Sequence, residues 1–387
     1  MSKLRERIAA VMQAYSEQGI HRTGTEVDRV SGAWLAREIR ELGIASSEEP
    51  IAFSRLEVEQ AFVEVGGARF DGFPCLDRIP TGSEGIRGPL CWARDGTGGI
   101  GAAVARPQGG AARDGLIALA REGVFGGGIV ITDPEWMPTG MGLLNAPRYS
   151  SPGGPPLLQL PAQSLESLRH QVDRGVDAWL VIDTHRVEAT AFNIGASITG
   201  ESPALAPVVV MTPRSGWWSC AQERGGGIAA FLEVMRAVAE KPRKRDVLFT
   251  ANTGHELGHL GLDHFLEQRS ELTRRAYCWI HFGANFASNN PGSLRLQFSS
   301  ESLQGHTLEA LMRHGLTPDN VRGPGERPGG EAENVFYGGG QYISILGYGH
   351  YFHHPDDIWP DTVDVEKTER IVAAFCELVV ELADSSE

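Results

Sequence analysis

Hydrophobic and polar positions change their spacing three times along the 387-residue chain. In residues 26–43 the apolar side chains Val30, Trp34, Leu35, Ile39 and Leu42 recur at helical spacing and Gly43 follows them, which predicts an amphipathic helix ending at that glycine. From about 51 to 78 the spacing drops to two, as in FSRLEVEQAFVEV, and Gly66-Gly67 predicts a hairpin turn between strands. Between about 82 and 190 short apolar runs (GLIALA, GGGIVIT, DAWLVID) are separated by Gly- and Pro-rich loops such as PQGGAARDG, and SLESLRHQVDRG is the one clear helix. From about 195 apolar strand runs alternate with amphipathic helices: PVVVMT, GGGIAAFLEVMRAVAEK, RDVLFTAN, HLGLDHFLEQRSEL, YCWIHFGAN and VEKTERIVAAFCELVVELA.

This alternation predicts an α/β fold: a mixed sheet flanked by helices on both faces, with a smaller β-rich domain inserted at 82–190 and the main domain formed by 1–81 and 191–387. In such sheets ligands gather at the carboxyl ends of strands, where the most unusual residues of this chain fall. Composition narrows the function. With 35 Lys+Arg against 49 Asp+Glu the net charge is −14, which argues against a nucleic-acid or anionic-membrane partner. No apolar run approaches the roughly 20 residues of a membrane span, and the amino-terminal MSKLRERIAAVMQAYSEQG carries charges throughout, unlike a signal peptide. Five cysteines, odd in number and without a CxxC pair, suit reduced thiols, so a cytoplasmic location is expected. A homo-oligomer is compatible with this composition.

Three stretches carry candidate chemistry. Gly254-His255-Glu256-Leu257-Gly258-His259 contains HExxH, which on a helix places two histidines on one face to hold zinc beside a glutamate base. Here a strand ends only a few residues upstream, and His264 falls one residue early for the extended pattern. Packing at a helix start is the alternative. Tyr351-Phe352-His353-His354-Pro355-Asp356-Asp357 offers metal-ligating or acid–base groups in a loop before the last helix, or a polar loop that caps that helix. Trp217 to Gly227 (WWSCAQERGGG) links a strand to a helix, its three glycines permit close backbone approach, and Cys220 is a candidate nucleophile.

In order and spacing these stretches resemble the zinc aminopeptidase family that includes the glutaminyl cyclases. Its motifs HxD, GAxDNxSG, EELGLLGS, a strand ending in Asp, and YHTPxD are matched here by VVVMTPRSG, CAQERGGGIAAFLE, HELGHLGL, WIHFGAN and FHHPDD. The 82–190 segment resembles the protease-associated domain often inserted in this family, through GGGIVITD and PPLLQLPAQSLESL. The resemblance implies the aminopeptidase-like fold and a zinc-dependent hydrolase. Of the family's first metal set, the His falls on Pro213 and the strand-end Asp on Gly283, so that only the bridging carboxylate remains, as Glu223; the Asp two residues after the His falls on Ser215. The family's second set falls on Glu223, Glu256 and His353, which implies a single zinc ion. The catalytic glutamate falls on His255, which would act as general base.

Around this set, Arg214, His281 and Tyr351 are candidate substrate-binding residues, Glu333 a candidate pocket residue, and Asp357 a supporting one. The expected function is therefore a single-zinc metallohydrolase of amide or peptide-like small substrates, acting through metal-bound water or Lewis-acid chemistry. Glutaminyl-cyclase-like acyl transfer and a catalytically inactive binding protein are the alternatives.

Overall fold

The computed structural model describes residues 2–107 and 113–386; the Gly-rich stretch 108–112 lies outside them. The strands are β1 (Ser46–Val65), β2 (Ala68–Asp71), β3 (Phe73–Pro74), β4 (Gly82–Trp92), β5 (Ile100–Ala105), β6 (Gly127–Thr132), β7 (Leu157–Leu160), β8 (Asp177–Ile198), β9 (Val208–Pro213), β10 (Val247–Asn252), β11 (Cys278–Phe282), β12 (Pro291–Phe298), β13 (Asn320–Arg322) and β14 (Tyr342–Gly349). They form one mixed sheet in the order β13-β12-β14-β11-β9-β10-β8-β4-β5-β6-β7-β3, with β1 beside β8 and β2 beside β1.

Residues 26–43 behave as their periodicity dictates. The helix runs Glu26–Glu41, Thr25 caps it by accepting from the Asp28 amide, and Gly43 follows in the left-handed region at φ 79°. Val30, counted in the apolar stripe, is instead 44% exposed. The hairpin forms at Gly66-Gly67, both with positive φ, and sets the register Val65↔Ala68. The segment 259–272 differs from a single helix: it is Leu260–Glu267, a break, and a short helix Leu272–Arg275.

Both faces of the sheet are covered, as the alternation of β9 requires. Val208 and Val210 pack with the helices Lys3–Ser16, Glu26–Glu41, Gly226–Ala239 and Val365–Asp384, whereas Val209 and Met211 pack with Leu260–Glu267 and Ala332–Tyr337. The segment that begins at β4 has parallel strands β4 to β7, two helices (Arg113–Ala120 and Ser164–Asp173), and apolar packing around Ile100, Ile129, Leu158 and Leu168. It is joined to the rest by β1 and β8, which pair from Ser46↔Ala196 to Val65↔Ala178, so β8 runs through position 190 without a break. No described helix is long and apolar enough to cross a membrane.

Candidate functional site

Strands β9, β10, β11 and β14 run parallel, so their carboxyl ends open on one edge. The four described non-glycine residues with left-handed backbone, Cys220, His259, Asn285 and His353, all lie in the loops of that edge. Such conformations cost about 1–3 kcal/mol each and persist only where their surroundings impose them.

After β9 the chain passes Arg214 and Ser215 and enters a π-turn, Ala221–Gly225, that opens the helix Gly226–Ala239. Glycine is required here. A Cβ at Gly227 would come 2.6 Å from Thr212 Oγ1, and one at Gly226 would come 2.5 Å from the Ala287 Cβ. The turn therefore presses Glu223 and Arg224 into the interior. Asp357 accepts from the Gln222 and Glu223 amides at 2.7 and 3.1 Å, satisfying donors that the turn leaves open.

Glu223 Oε1 lies 2.7 Å from Arg224 Nη2 and 3.4 Å from His353 Nε2, all three side chains being buried. Burial alone would raise the Glu223 carboxyl; Arg224 and His353 outweigh it and hold the group down to about 2. The Arg224 guanidinium donates from Nε to the Ser215 carbonyl at 2.8 Å, and neither Nη1 nor Nη2 has a hydrogen-bond partner. His353 meets the Leu143 carbonyl through Nδ1 at 2.6 Å, leaving Nε2 toward Glu223.

After β10, Gly254 and Gly258 adopt left-handed backbone on either side of a 3-10 turn, His255–Leu257, and His259 is left-handed as well. The two histidines of HExxH are thus not on one face of an α-helix, which removes the geometric basis of that reading. Their rings lie 4.9 Å apart, and His259 Nδ1 is engaged by Asn334 Oδ1 at 2.7 Å. His255 reaches a cleft of about 900 Å³ between residues 75–157 and the sheet edge, lined also by His259, Asp263, Asn145, Arg78 and Glu333. Behind it, Nδ1 is 3.5 Å from Glu331 Oε1, and Asn252 Nδ2 donates to Glu331 Oε2 at 3.1 Å. Burial, then the nearby Arg224 and His259, push His255 well below its ordinary value, so it is neutral at pH 7.

The expected residues are brought together only in part. Glu223 and His353 meet, and His255 stands beside them. Glu256 turns away: Oε1 accepts from the Thr23 amide and hydroxyl at 2.9 and 2.6 Å, and Oε2 accepts from Ser215 Oγ at 2.8 Å. Arg214 is corrected outright as a substrate group. It pairs with Asp28 at 2.8 Å, donates to the Asp28 and Phe192 carbonyls and is 1% exposed, so no substrate reaches it.

His281 is buried, meets Ser344 Oγ through Nδ1 at 2.9 Å, has an unpartnered Nε2 and is pushed down to about 3 by burial. Tyr351 packs near Trp136, His350 and His354, outside the cleft lining. Glu333 lines the cleft but is paired with Arg327 at 2.5 Å. Burial and the neighbouring Glu223 raise the Cys220 thiol well above its usual range, so it is no thiolate nucleophile.

Two central residues escaped the sequence reading. Arg224 follows the bridging carboxylate, where the family motif has Asn, and that substitution was the available signal. Glu331 sits in a Gly-rich stretch without a motif.

The single zinc expected on Glu223, Glu256 and His353 can be tested against these contacts. Glu223 Oε1 and His353 Nε2 are both without hydrogen-bond partners, as two facing ligands would be. The third donor is missing because Thr23 and Ser215 hold both oxygens of Glu256, and a guanidinium already touches the Glu223 oxygen. Among the described residues no three His, Cys, Asp or Glu side chains are grouped to hold a metal ion. Two donors fall short of the three protein ligands of a catalytic zinc site, so the residues present do not fit the ion.

Residues 209–319 match the model of peptidase family M28. Among solved structures, a zinc aminopeptidase from Bacillus subtilis superposes with a TM-score of 0.77 at 17% identity, covering 99% of this chain and 95% of its own. A peptidase M28 precursor from Shewanella amazonensis gives 0.75 at 16%, covering 100% and 97%. A glutaminyl cyclase from Porphyromonas gingivalis gives 0.55 at 12%, covering 98% and 100%. No curated protein sequence matches the chain. Identities this low carry the fold and not the chemistry. The chain is thus an aminopeptidase-like α/β protein whose residues 209–319 match peptidase family M28, the family its motifs resemble.

Proposed function

We propose that the chain hydrolyses an amide bond of a small peptide-like substrate held in the 900 Å³ cleft, with His255 as general base. The observation that carries this reading is an imidazole at the inner wall of the cleft with the buried carboxylate of Glu331 3.5 Å from its Nδ1. With the Nδ1 proton toward Glu331, Nε2 offers its lone pair. Water then adds its oxygen to the substrate carbonyl carbon while its proton passes to Nε2. The same proton is returned to the leaving nitrogen as the C–N bond breaks, giving a carboxylic acid and an amine. The match to a peptidase family supports the substrate class, and a positioned base of this kind contributes about 10²–10⁴-fold in rate.

Aminoacyl and dipeptide amides assayed with the wild type, His255→Gln and Glu331→Gln test the reading. Both variants are expected to lose about 10²-fold or more in kcat with smaller changes in KM. An unchanged kcat in His255→Gln, or no turnover of any amide by the wild type, would overturn it. The same assay separates cyclising acyl transfer, the activity named for the Porphyromonas neighbour. That reaction would release ammonia without taking oxygen from labelled water.

A further inference from the structure

We propose that the Arg224 guanidinium is the resident cation of this site and that the chain works without a bound zinc ion. For metal binding the inference stands on the contacts alone; for turnover it rests on the hydrolytic reading above.

Three observations converge on it. First, the two carboxylates expected as zinc ligands are already engaged from within the chain. Glu256 takes three hydrogen bonds from Thr23 and Ser215, and Glu223 takes Arg224. Second, the places expected to hold the other ion are closed. A Cβ at Gly283 would meet Leu346 Cδ2 at 2.2 Å and His281 Cε1 at 2.8 Å, and Ser215 Oγ is held between Glu256 and the Gly254 amide at 2.8 Å each. Third, Arg224 is 1% exposed, anchored by Nε to the Ser215 carbonyl and ion-paired through Nη2 with Glu223 at 2.7 Å, while neither Nη1 nor Nη2 makes a hydrogen bond.

A buried guanidinium with an open N–H is costly unless something accepts from it. An arginine stays charged at any working pH and presents its donors in a fixed plane. A zinc ion on Glu223 Oε1, at the usual distance of about 2 Å, would bring two cations against one carboxylate oxygen. The pair therefore excludes the ion on charge as well as on ligand count. Arg224 lies behind the cleft wall, so it acts on the reaction as a fixed buried charge beside Glu223 and His255 and not by touching substrate.

The full-length chain, purified from zinc-replete cells without chelator, is analysed for metal and titrated with zinc by calorimetry. Substoichiometric metal and no saturable zinc uptake in the micromolar range are expected; one tightly held zinc per chain, lost in His353→Ala, would overturn the inference. Amide turnover is then measured with and without a chelator, and in Arg224→Gln and Arg224→Lys. Turnover is expected to resist the chelator, to fall in Arg224→Gln with the acid limb of kcat/KM shifted upward, to fall less in Arg224→Lys, and to recover partly when guanidinium ion is added to the Gln variant.

Chelator-sensitive turnover restored by zinc overturns the inference and leaves the hydrolytic reading standing. No zinc uptake together with no turnover does the reverse. The wild-type metal measurement decides even if Arg224→Gln fails to fold.

Discussion

Glu256 provides the sharpest test of how this site is built, because the motif makes it a metal ligand and the contacts make it a latch. Its carboxylate is fully buried and receives three donors, two from Thr23 and one from Ser215, while both hydroxyls accept in turn from the Gly254 amide. Thr23 belongs to the connection between the helices Lys3–Ser16 and Glu26–Glu41. The latch therefore ties the amino-terminal segment to the loop that carries His255. A hydrogen bond to a charged group contributes about 1.5–3 kcal/mol, and a buried donor left without a partner costs about 1–3 kcal/mol. Allowing for non-additivity and for the cost of burying the carboxylate itself, Glu256→Ala is expected to destabilise by about 3–5 kcal/mol. Glu256→Gln, which keeps the shape and part of the acceptor capacity, should lose less.

Urea denaturation of Glu256→Ala, Thr23→Val and the double variant measures this directly, as a shift in midpoint at constant slope. The cycle should return a coupling of about 1.5–3 kcal/mol between the two residues. Amide hydrogen exchange should show residues 19–28 losing protection in Glu256→Ala. A Glu256→Ala protein with wild-type midpoint and no coupling to Thr23, but with a bound zinc ion lost, would refute the latch and restore the ligand role.

Further predictions concern the neighbouring groups. Because burial and Arg224 hold His255 below 6.5, its neutral base form persists into mild acid, so the acid limb of kcat/KM should lie below pH 6.5. Glu223 and Glu331 face the same ring with negative charge and His259 and His353 with histidine, so loss of Arg224 in Arg224→Gln should move that limb upward. Gly283→Asp, which restores a carboxylate at the end of β11, should destabilise by at least about 1–3 kcal/mol through its clash with Leu346, and Leu346→Ala should relieve part of that loss in a melting experiment. Arg214→Met, which strands Asp28, should cost about 3–5 kcal/mol in denaturant titration while KM for amides stays at its wild-type value.

The order of strands and helices from residue 195 onward was legible because apolar runs of period two and of period 3.6 are dictated by the faces they cover, as Val208 to Met211 illustrate. Val30 shows the limit of that logic: a position can satisfy the helical period and still find no neighbour. The HELGH stretch was misleading for a local reason. Its letters fit a helix, but Gly254 and Gly258 take left-handed backbone and turn the chain twice within five residues.

The ligand assignments depended on partners distant in sequence. Thr23 lies 233 residues from Glu256, and Asp28 lies 186 residues from Arg214; no spacing rule connects them. Arg224 was hidden by its type, since an arginine beside a glutamate at a helix start ordinarily suggests a solvated face.

The depth of these groups orders their roles. Only His255 and His259 of the histidine and carboxylate cluster reach the cleft wall; Glu223, Arg224 and His353 lie buried behind it. A substrate filling the cleft meets Asp263, Glu333 and the two histidines before it senses the buried charges, so changes at the lining act first on KM. The buried layer sets the field at His255. Changes there act on kcat, because charge on the reacting atoms grows only as the bond changes. Asp357 holds the buried layer in register: it binds the amides of the turn that carries Glu223 and belongs to the loop that carries His353. A cation delivered by that turn, unlike a diffusible ion, is positioned by the same backbone hydrogen bonds that position its carboxylate, and it is present whenever the chain is folded.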